Sequence, residues 1–178
     1  AVQEIMENTI YQILRGEINI ISAGRTDTGV HAKKMFAHFD VNRKIEEELF
    51  SLANHTGVGI MAYSPLGIGL LSGTYDPKNN PSAGSLWNKP ERTDHYSNLM
   101  KGRTPNLIES VRNIAKTYNA TPAQVALSWV LSHPEISVAI SGADKEEQMR
   151  ENVEAVNISL TEDEINQLDK KSKGLKLF

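Results

Sequence analysis

The first forty residues carry two kinds of hydrophobic pattern. Apolar side chains recur every three or four positions over residues 2–14, which predicts an amphipathic helix. Short apolar runs at 18–21 and 34–39 flank a glycine-bounded turn at 24–29 and indicate two strands. The predicted order is helix, strand, turn and strand.

The pattern changes near residue 41, where helical periodicity begins to alternate with short apolar strands. Strands are predicted at residues 58–63 and 136–140. Helices are predicted at residues 45–57, at 107–118, and after the caps at Thr121, Asp144 and Thr161. Alternation of strand and helix after residue 57 is typical of an α/β fold with parallel strands.

The predicted helix starts carry side chains that satisfy free backbone N–H groups. Thr121 with Gln124 and Thr161 with Glu164 have the spacing of capping boxes. Asp144 is predicted to cap the helix between them. Residues 76–106 are polar and rich in Gly, Pro and Asn, and they predict a long loop, which in a compact domain is usually functional or mobile.

Composition narrows the classes of function. The chain has 178 residues with ordinary hydrophobic and charged fractions, 39% and 23%, which indicates a globular protein. A net charge of −3 offers no basic excess for a nucleic-acid partner, and zero cysteines exclude disulfides and thiol catalysis. No apolar run approaches the ~20 residues of a membrane span, and no signal peptide opens the chain. We therefore expect a cytoplasmic protein with no membrane partner and no metal.

The turn at residues 24–32 is the first candidate site. Gly24 and Gly29 allow a tight turn that presents Arg25 and Asp27 at its tip. A carboxylate beside an arginine stays ionised and can act as a nucleophile or base. The alternative interpretation is a hairpin turn with an exposed ion pair.

This segment, Gly-Arg-Thr-Asp-x-Gly-Val-His-Ala, resembles the active-site segment of the tRNA pseudouridine synthases that modify the anticodon arm. The resemblance covers residues 1–40 and implies that Asp27 is catalytic, that Arg25 is its basic neighbour and that tRNA is the partner. The segment holds four Lys and Arg against five Asp and Glu, so we expect weak affinity for tRNA phosphates.

Two further constellations follow predicted strands. Tyr63 ends the first strand before a Gly-rich turn at 64–73, whose backbone amides can hold a flat ring and a diphosphate. Small residues at 141–143 precede a helix start, where the free N–H groups favour anions. An ordinary turn and an ordinary capped helix are the alternative interpretations.

Residues 42–173 resemble the C-terminal half of an aldo-keto reductase. The resemblance includes the segment 123–131 and the motif Gly-Ala-x-Lys-x-Glu-Gln-x-x-Glu-Asn at 142–152. It implies an α/β fold, namely an incomplete (β/α)8 TIM-barrel-like C-terminal portion, preceded here by the N-terminal helix and β-hairpin. It also implies NADP(H) as the cofactor.

The same resemblance implies roles for individual residues. Tyr63 would stack on the nicotinamide, Ser64 and Leu66 would line the diphosphate, and the loop 76–106 would fold across the cofactor. The adenosine end would be held by Gly142, Gln148, Glu151 and Asn152. Asp144 stands where the family often has the serine that contacts the 2′-phosphate, so NAD(H) is the alternative cofactor.

The family's Tyr, Lys, Asp and His catalytic set comes from the N-terminal half of its barrel, which residues 1–40 do not resemble. Turnover of a carbonyl substrate is therefore not expected. The sequence predicts two parts, 1–40 and 41–178, and three hypotheses: an NADP(H)-binding oxidoreductase fragment, a tRNA pseudouridine synthase using Asp27, or a non-catalytic fusion product. Unpaired edges of two barrel strands also predict self-association.

Overall fold

The computed structural model describes residues 21–22, 37–38, 43–76, 78–81 and 83–175. The chain divides into two compact units, Ala1–Gly59 and Ile60–Phe178. The boundary near residues 40–41, at which the two family resemblances meet, stays a prediction. Within the described ranges, no helix combines the length and apolar character that crossing a membrane requires.

The described residues of the first unit form a short antiparallel strand pair and one helix. Strand β1 (Ile21–Ser22) pairs with β2 (Ala37–His38), which confirms strand pairing at these positions. Helix α1 (Arg43–Thr56) is the predicted amphipathic helix, and Gly57 follows it with a positive φ of 70°. The predicted helix at 2–14 and the turn that carries Arg25 and Asp27 lie outside the described residues.

The described part of the second unit contains a parallel strand pair and five α-helices. Strand β3 (Ile60–Tyr63) pairs in parallel with β4 (Ile136–Ile140), as the alternating pattern predicts. The helices of this unit are α2 (Pro90–Lys101), α3 (Thr104–Thr117), α4 (Pro122–Leu131), α5 (Glu146–Val153) and α6 (Glu162–Ser172). Short 3-10 helices cover Leu70–Ser72, Leu86–Asn88 and Glu154–Asn157.

The main core lies where α3, α4 and α6 meet. The apolar stripe of α3 is buried against α4, and Leu168 of α6 closes the cluster with none of its surface exposed. The buried side chains are Leu71, Leu107, Ile108, Val111, Ile114, Ala115, Val125, Ala126 and Leu168. Each large apolar side chain buried in this way stabilises the fold by roughly 1.5–3 kcal/mol.

The two predicted capping boxes are confirmed, and the third cap is shifted by one residue. Thr121 Oγ1 accepts the backbone N–H of Gln124, whose side-chain oxygen accepts the N–H of Thr121 in return. The residue at the N-cap position of α5 is Lys145 rather than Asp144. The reason is Gln148, whose Oε1 accepts the N–H groups of both Asp144 and Lys145.

The prediction of a loop over residues 76–106 is wrong. The segment contains the Leu86–Asn88 turn and helix α2, and α3 begins within it. A second apolar cluster explains why this segment is folded, because Trp87 and Tyr96 are buried against Leu70. Only a few apolar side chains, widely spaced among polar ones, anchor the segment.

Glu164 at the start of α6 accepts three hydrogen bonds through a single oxygen, Oε2. The donors are the Thr161 backbone N–H at 2.8 Å, the Thr161 hydroxyl at 2.9 Å and the Tyr118 hydroxyl at 2.7 Å. Burial raises the pKa of Glu164, but these donors outweigh it and hold the pKa below its ordinary value. The hydrogen bond from the Tyr118 hydroxyl to Glu164 in turn raises the pKa of Tyr118.

Glu164→Gln is expected to flatten the acid side of the stability profile. The folded-state pKa of Glu164 lies below its unfolded value, so its contribution is complete above the unfolded pKa and is lost as pH falls through the folded pKa. Urea unfolding between pH 3 and pH 7, a range of about one unit below and three above an ordinary Glu pKa, measures this loss. Glu162→Gln, on the same exposed turn, is the control. If the free energy of unfolding depended on pH equally in Glu164→Gln and Glu162→Gln, the role given to Glu164 would be contradicted.

Candidate functional site

The parallel pairing of β3 and β4 brings the two predicted ligand-binding segments to one edge of the sheet. Tyr63, the last residue of β3, lies opposite Ile140, the last residue of β4. Because the strands run in the same direction, the loop after Tyr63 and the turn after Ile140 leave the same edge. In open α/β sheets and barrels this carboxyl edge is where ligands bind.

The loop that follows β3 has an unusual backbone. Gly67 and Gly69 have positive φ angles of 56° and 84°, and so do Ser64 at 51° and Ile68 at 53°. A positive φ is strained for a side-chain-bearing residue, and most of all for a β-branched one. The loop is compact nonetheless, since the Leu71 N–H donates to the Leu66 carbonyl at 3.1 Å.

The loop after β3 is fixed against the helices by the residues at its end. Leu70 and Leu71 are buried, and Gly73 ends the 3-10 turn with a φ of 85°. A Cβ on Gly73 would lie 2.7 Å from Pro122 Cγ, so only glycine fits here. The Tyr63 side chain, by contrast, is 67% exposed, and its ring is accessible at the sheet edge.

The turn that follows β4 is open to solvent. Apart from its two chain neighbours, no described residue has a heavy atom within 4 Å of the position that a Cβ on Gly142 would take, so a ligand can approach the backbone there. The Gly142 carbonyl accepts the Asn152 side-chain N–H at 3.4 Å. Gln148 holds the N–H groups of Asp144 and Lys145 at 2.8 and 3.1 Å, which fixes the turn at the start of α5.

Glu151 ties α5 to the start of α4. Its Oε1 accepts the Thr121 hydroxyl at 2.5 Å, and its backbone carbonyl accepts the Gln124 side-chain N–H at 3.1 Å. Gln148, Glu151 and Asn152 therefore all hold local backbone or helix ends in this structure. The ligand contacts predicted for them stay predictions.

The charges near this turn are mixed. Asp144 is exposed, and Arg150 is already paired with Glu146, with N···O distances of 3.0 and 2.6 Å. Lys145 is the exposed cation next to Asp144. The described ranges contain no group of three or more His, Asp or Glu side chains that could hold a metal ion.

Sequence reasoning missed two residues that contact the loop after β3. The Trp87 indole N–H donates to the Ile68 carbonyl at 2.9 Å. Arg112 on α3 donates through Nη2 to the carbonyls of Gly73 and Tyr75, at 3.1 and 2.6 Å. No local pattern identifies these contacts, since the partners lie far apart along the chain.

Comparison with known proteins identifies the family. The pattern of the Aldo/keto reductase family matches residues 32–173. The chain belongs to the aldo/keto reductase family. The match begins inside the segment that resembles a tRNA pseudouridine synthase, so residues 32–40 fall within the aldo/keto reductase match. The comparisons do not support the pseudouridine synthase interpretation.

Relatives with curated descriptions are similar to this chain over part of their length. A probable aldo-keto reductase of Glycine max is 37% identical over 126 residues, which are 71% of this chain and 35% of the relative. An NADH-specific methylglyoxal reductase of Escherichia coli is 30% identical over 83% of this chain and 46% of the relative. The chain thus spans less than half of the length of these relatives.

One solved structure supports the fold assignment. A glycerol dehydrogenase from Gluconobacter oxydans superposes with a TM-score of 0.59 at 22% identity, covering 74% of this chain and 39% of that one. Together with membership of the aldo/keto reductase family, this similarity implies an α/β fold of the TIM-barrel type. The described second unit contributes one parallel strand pair of such a fold.

Gln148→Ala is expected to loosen the turn that follows β4. Losing the shared acceptor leaves two N–H groups at the start of α5 unpaired, which costs about 1 kcal/mol in stability. Hydrogen exchange of the Asp144 and Lys145 amides is expected to accelerate, and urea unfolding measures the stability. Glu147→Ala, at the neighbouring exposed position, is the control and should change neither quantity. Protected amides in Gln148→Ala would contradict the assignment.

Proposed function

We propose that this chain supplies a nicotinamide-dinucleotide-binding part of an aldo/keto reductase, with the dinucleotide lying across the carboxyl ends of β3 and β4. The observation that carries the proposal is the parallel register, which sets Tyr63 opposite Ile140 and brings two glycine-containing segments to one edge. The reaction of the whole protein would be hydride transfer between this cofactor and a carbonyl or alcohol, in keeping with its family.

The residues present at the β3 end fit the nicotinamide and diphosphate. The exposed ring of Tyr63 offers a flat surface for stacking. Ser64 and Leu66 belong to a loop whose left-handed residues turn the backbone sharply, which suits close approach of a diphosphate. When bound, the dinucleotide supplies or accepts a hydride. The chain's part is to orient the ring.

The residues at the β4 end fit the adenosine half. Gly142 leaves open space above its backbone, and the helix that begins at Glu146 presents free N–H groups with their positive partial charge. Gln148 and Asn152 lie one turn apart on α5, so they face the same side of the helix. Glu151, between them, holds α5 against Thr121.

Charge at this end bears on the choice between NADP(H) and NAD(H). By its resemblance to the family, Asp144 stands at the position that often contacts the 2′-phosphate of NADP(H), and Arg150 is engaged with Glu146. Lys145 is the remaining cation beside it. NADP(H) is the family expectation, NAD(H) is the alternative, and Asp144 is the residue that decides between them.

Calorimetric titration of NADPH and NADH into the full chain tests the proposal. We expect dissociation constants between about 10 μM and 1 mM, because the described residues provide only part of a pocket. Asp144→Ser removes a carboxylate from the 2′-phosphate side. It should raise the affinity for NADPH relative to NADH by about tenfold, the effect of roughly 1.4 kcal/mol.

Two controls make the titration decisive. Asp163→Ser removes an exposed acid on α6 and should leave both affinities unchanged. Circular dichroism reports whether each variant is folded. A folded wild-type chain that binds neither dinucleotide at millimolar concentration would contradict the proposal.

Several expectations from the sequence lie outside this proposal. The tRNA pseudouridine synthase alternative depends on Asp27 and Arg25, which lie outside the described residues. Self-association through unpaired strand edges and a cytoplasmic location also stay predictions. No observation among the described residues favours them.

A further inference from the structure

The loop after β3 holds conformations that its own sequence does not favour. Ser64 and Ile68 both have positive φ angles, although neither is glycine and Ile68 is β-branched. Such a conformation is strained for a residue with a side chain and persists only where the surroundings enforce it. Contacts from outside the loop must therefore stabilise this conformation.

Trp87 provides one such contact at the middle of the loop. Its side chain is fully buried, and its indole N–H donates to the Ile68 carbonyl at 2.9 Å. The ring packs with Tyr96 at a centroid distance of 6.0 Å and lies in one apolar cluster with Leu70. The bond therefore connects the strained residue to a rigid, buried anchor.

Arg112 provides a second contact at the end of the loop. It lies half-buried on α3, and its Nη2 donates to the carbonyls of Gly73 and Tyr75 at 3.1 and 2.6 Å. Charge-assisted bonds of this kind are about twice as strong as neutral ones. The loop is thus fixed at Ile68 from one side and at Gly73 from another.

We propose that Trp87 and Arg112 are positioning residues that hold the 64–73 loop in the conformation that receives the dinucleotide. The inference rests on the proposed function. Neither residue contacts the ligand in this proposal. They fix the conformation of the loop before the dinucleotide binds. Binding then does not have to order the loop, and the affinity is not lowered by that entropy cost.

Hydrogen exchange in the free full-length chain tests the positioning directly. Trp87→Phe keeps an aromatic ring but removes the donor, and Arg112→Met keeps the length of the side chain but removes the charge. Both should accelerate exchange of the loop amides of Leu70, Leu71 and Ser72 by about tenfold.

The chain offers matched controls for both substitutions. Trp129 also donates through its indole N–H, at 2.7 Å, but to Asp169. Arg103 also donates through Nη2 to a backbone carbonyl, that of Lys173 at 2.7 Å. Trp129→Phe and Arg103→Met should leave exchange in the 64–73 loop unchanged.

Titration with NADPH then tests the link to binding. We expect dissociation constants about tenfold weaker in Trp87→Phe and Arg112→Met, with the two controls binding like the wild type. Arg112→Lys keeps the charge and one donor group, so it should recover part of the affinity. If Arg112 merely stabilised the fold, Arg112→Lys and Arg112→Met variants with the same melting temperature would bind NADPH equally.

The outcomes separate this inference from the function on which it rests. Unchanged loop exchange in both variants, or faster exchange throughout α3 and α6 as well, would overturn the positioning role. Local acceleration with unchanged affinity would overturn its link to the dinucleotide. Failure of the wild type to bind either dinucleotide would overturn the proposed function, whereas the exchange result would still decide whether the two residues hold the loop.

Discussion

The parallel pairing of β3 with β4 is the interaction on which the candidate site depends. The two strands are separated by more than seventy residues, yet Tyr63 and Ile140 end them side by side. Side chains alternate along a strand, so a slip of one residue would move each to the opposite face. The register therefore decides which groups of the two following segments can reach a common ligand.

The helices of the second unit support the two segments that follow β3 and β4. The core of α3, α4 and α6 carries the buried Leu71 at the end of the loop that follows β3. Glu151 joins α5 to the cap of α4, so the turn that follows β4 is tied to the same helices. The loop after β3 is thus held by the apolar core, and the turn after β4 is held by hydrogen bonds to the start of α4.

Local features of the sequence were sufficient to predict most of the helices and both strands of the second unit. The boxes at Thr121 and Thr161 are complete within four residues, so their positions follow from the sequence alone. The predicted cap of α5 is one residue too early, because Gln148 Oε1 accepts the backbone N–H groups of both Asp144 and Lys145. Helix α2 could not be predicted from the polar residues 76–106, because the folding of this segment depends on the burial of Trp87 and Tyr96 against the distant Leu70.

The sequence predicts the two segments that form the candidate site, but it does not predict the contacts that hold them in place. The glycine-containing segments after β3 and β4 are visible as motifs, and the resemblance to a family gives each a role. The contacts from Trp87 to Ile68 and from Arg112 to Gly73 join residues 19 and 39 positions apart, and no periodicity or cap signal reports such pairs. Non-local hydrogen bonds of this kind become visible only in the folded chain.

The most direct test of this account is an NMR titration of the full chain with NADPH, following backbone amides. Amides of Ser64–Gly69 and of Gly142–Lys145 are expected to shift together along one saturation curve, because a single dinucleotide spans both segments. Shifts in only one segment, or two curves with different dissociation constants, would contradict the claim that the β3–β4 register assembles one site.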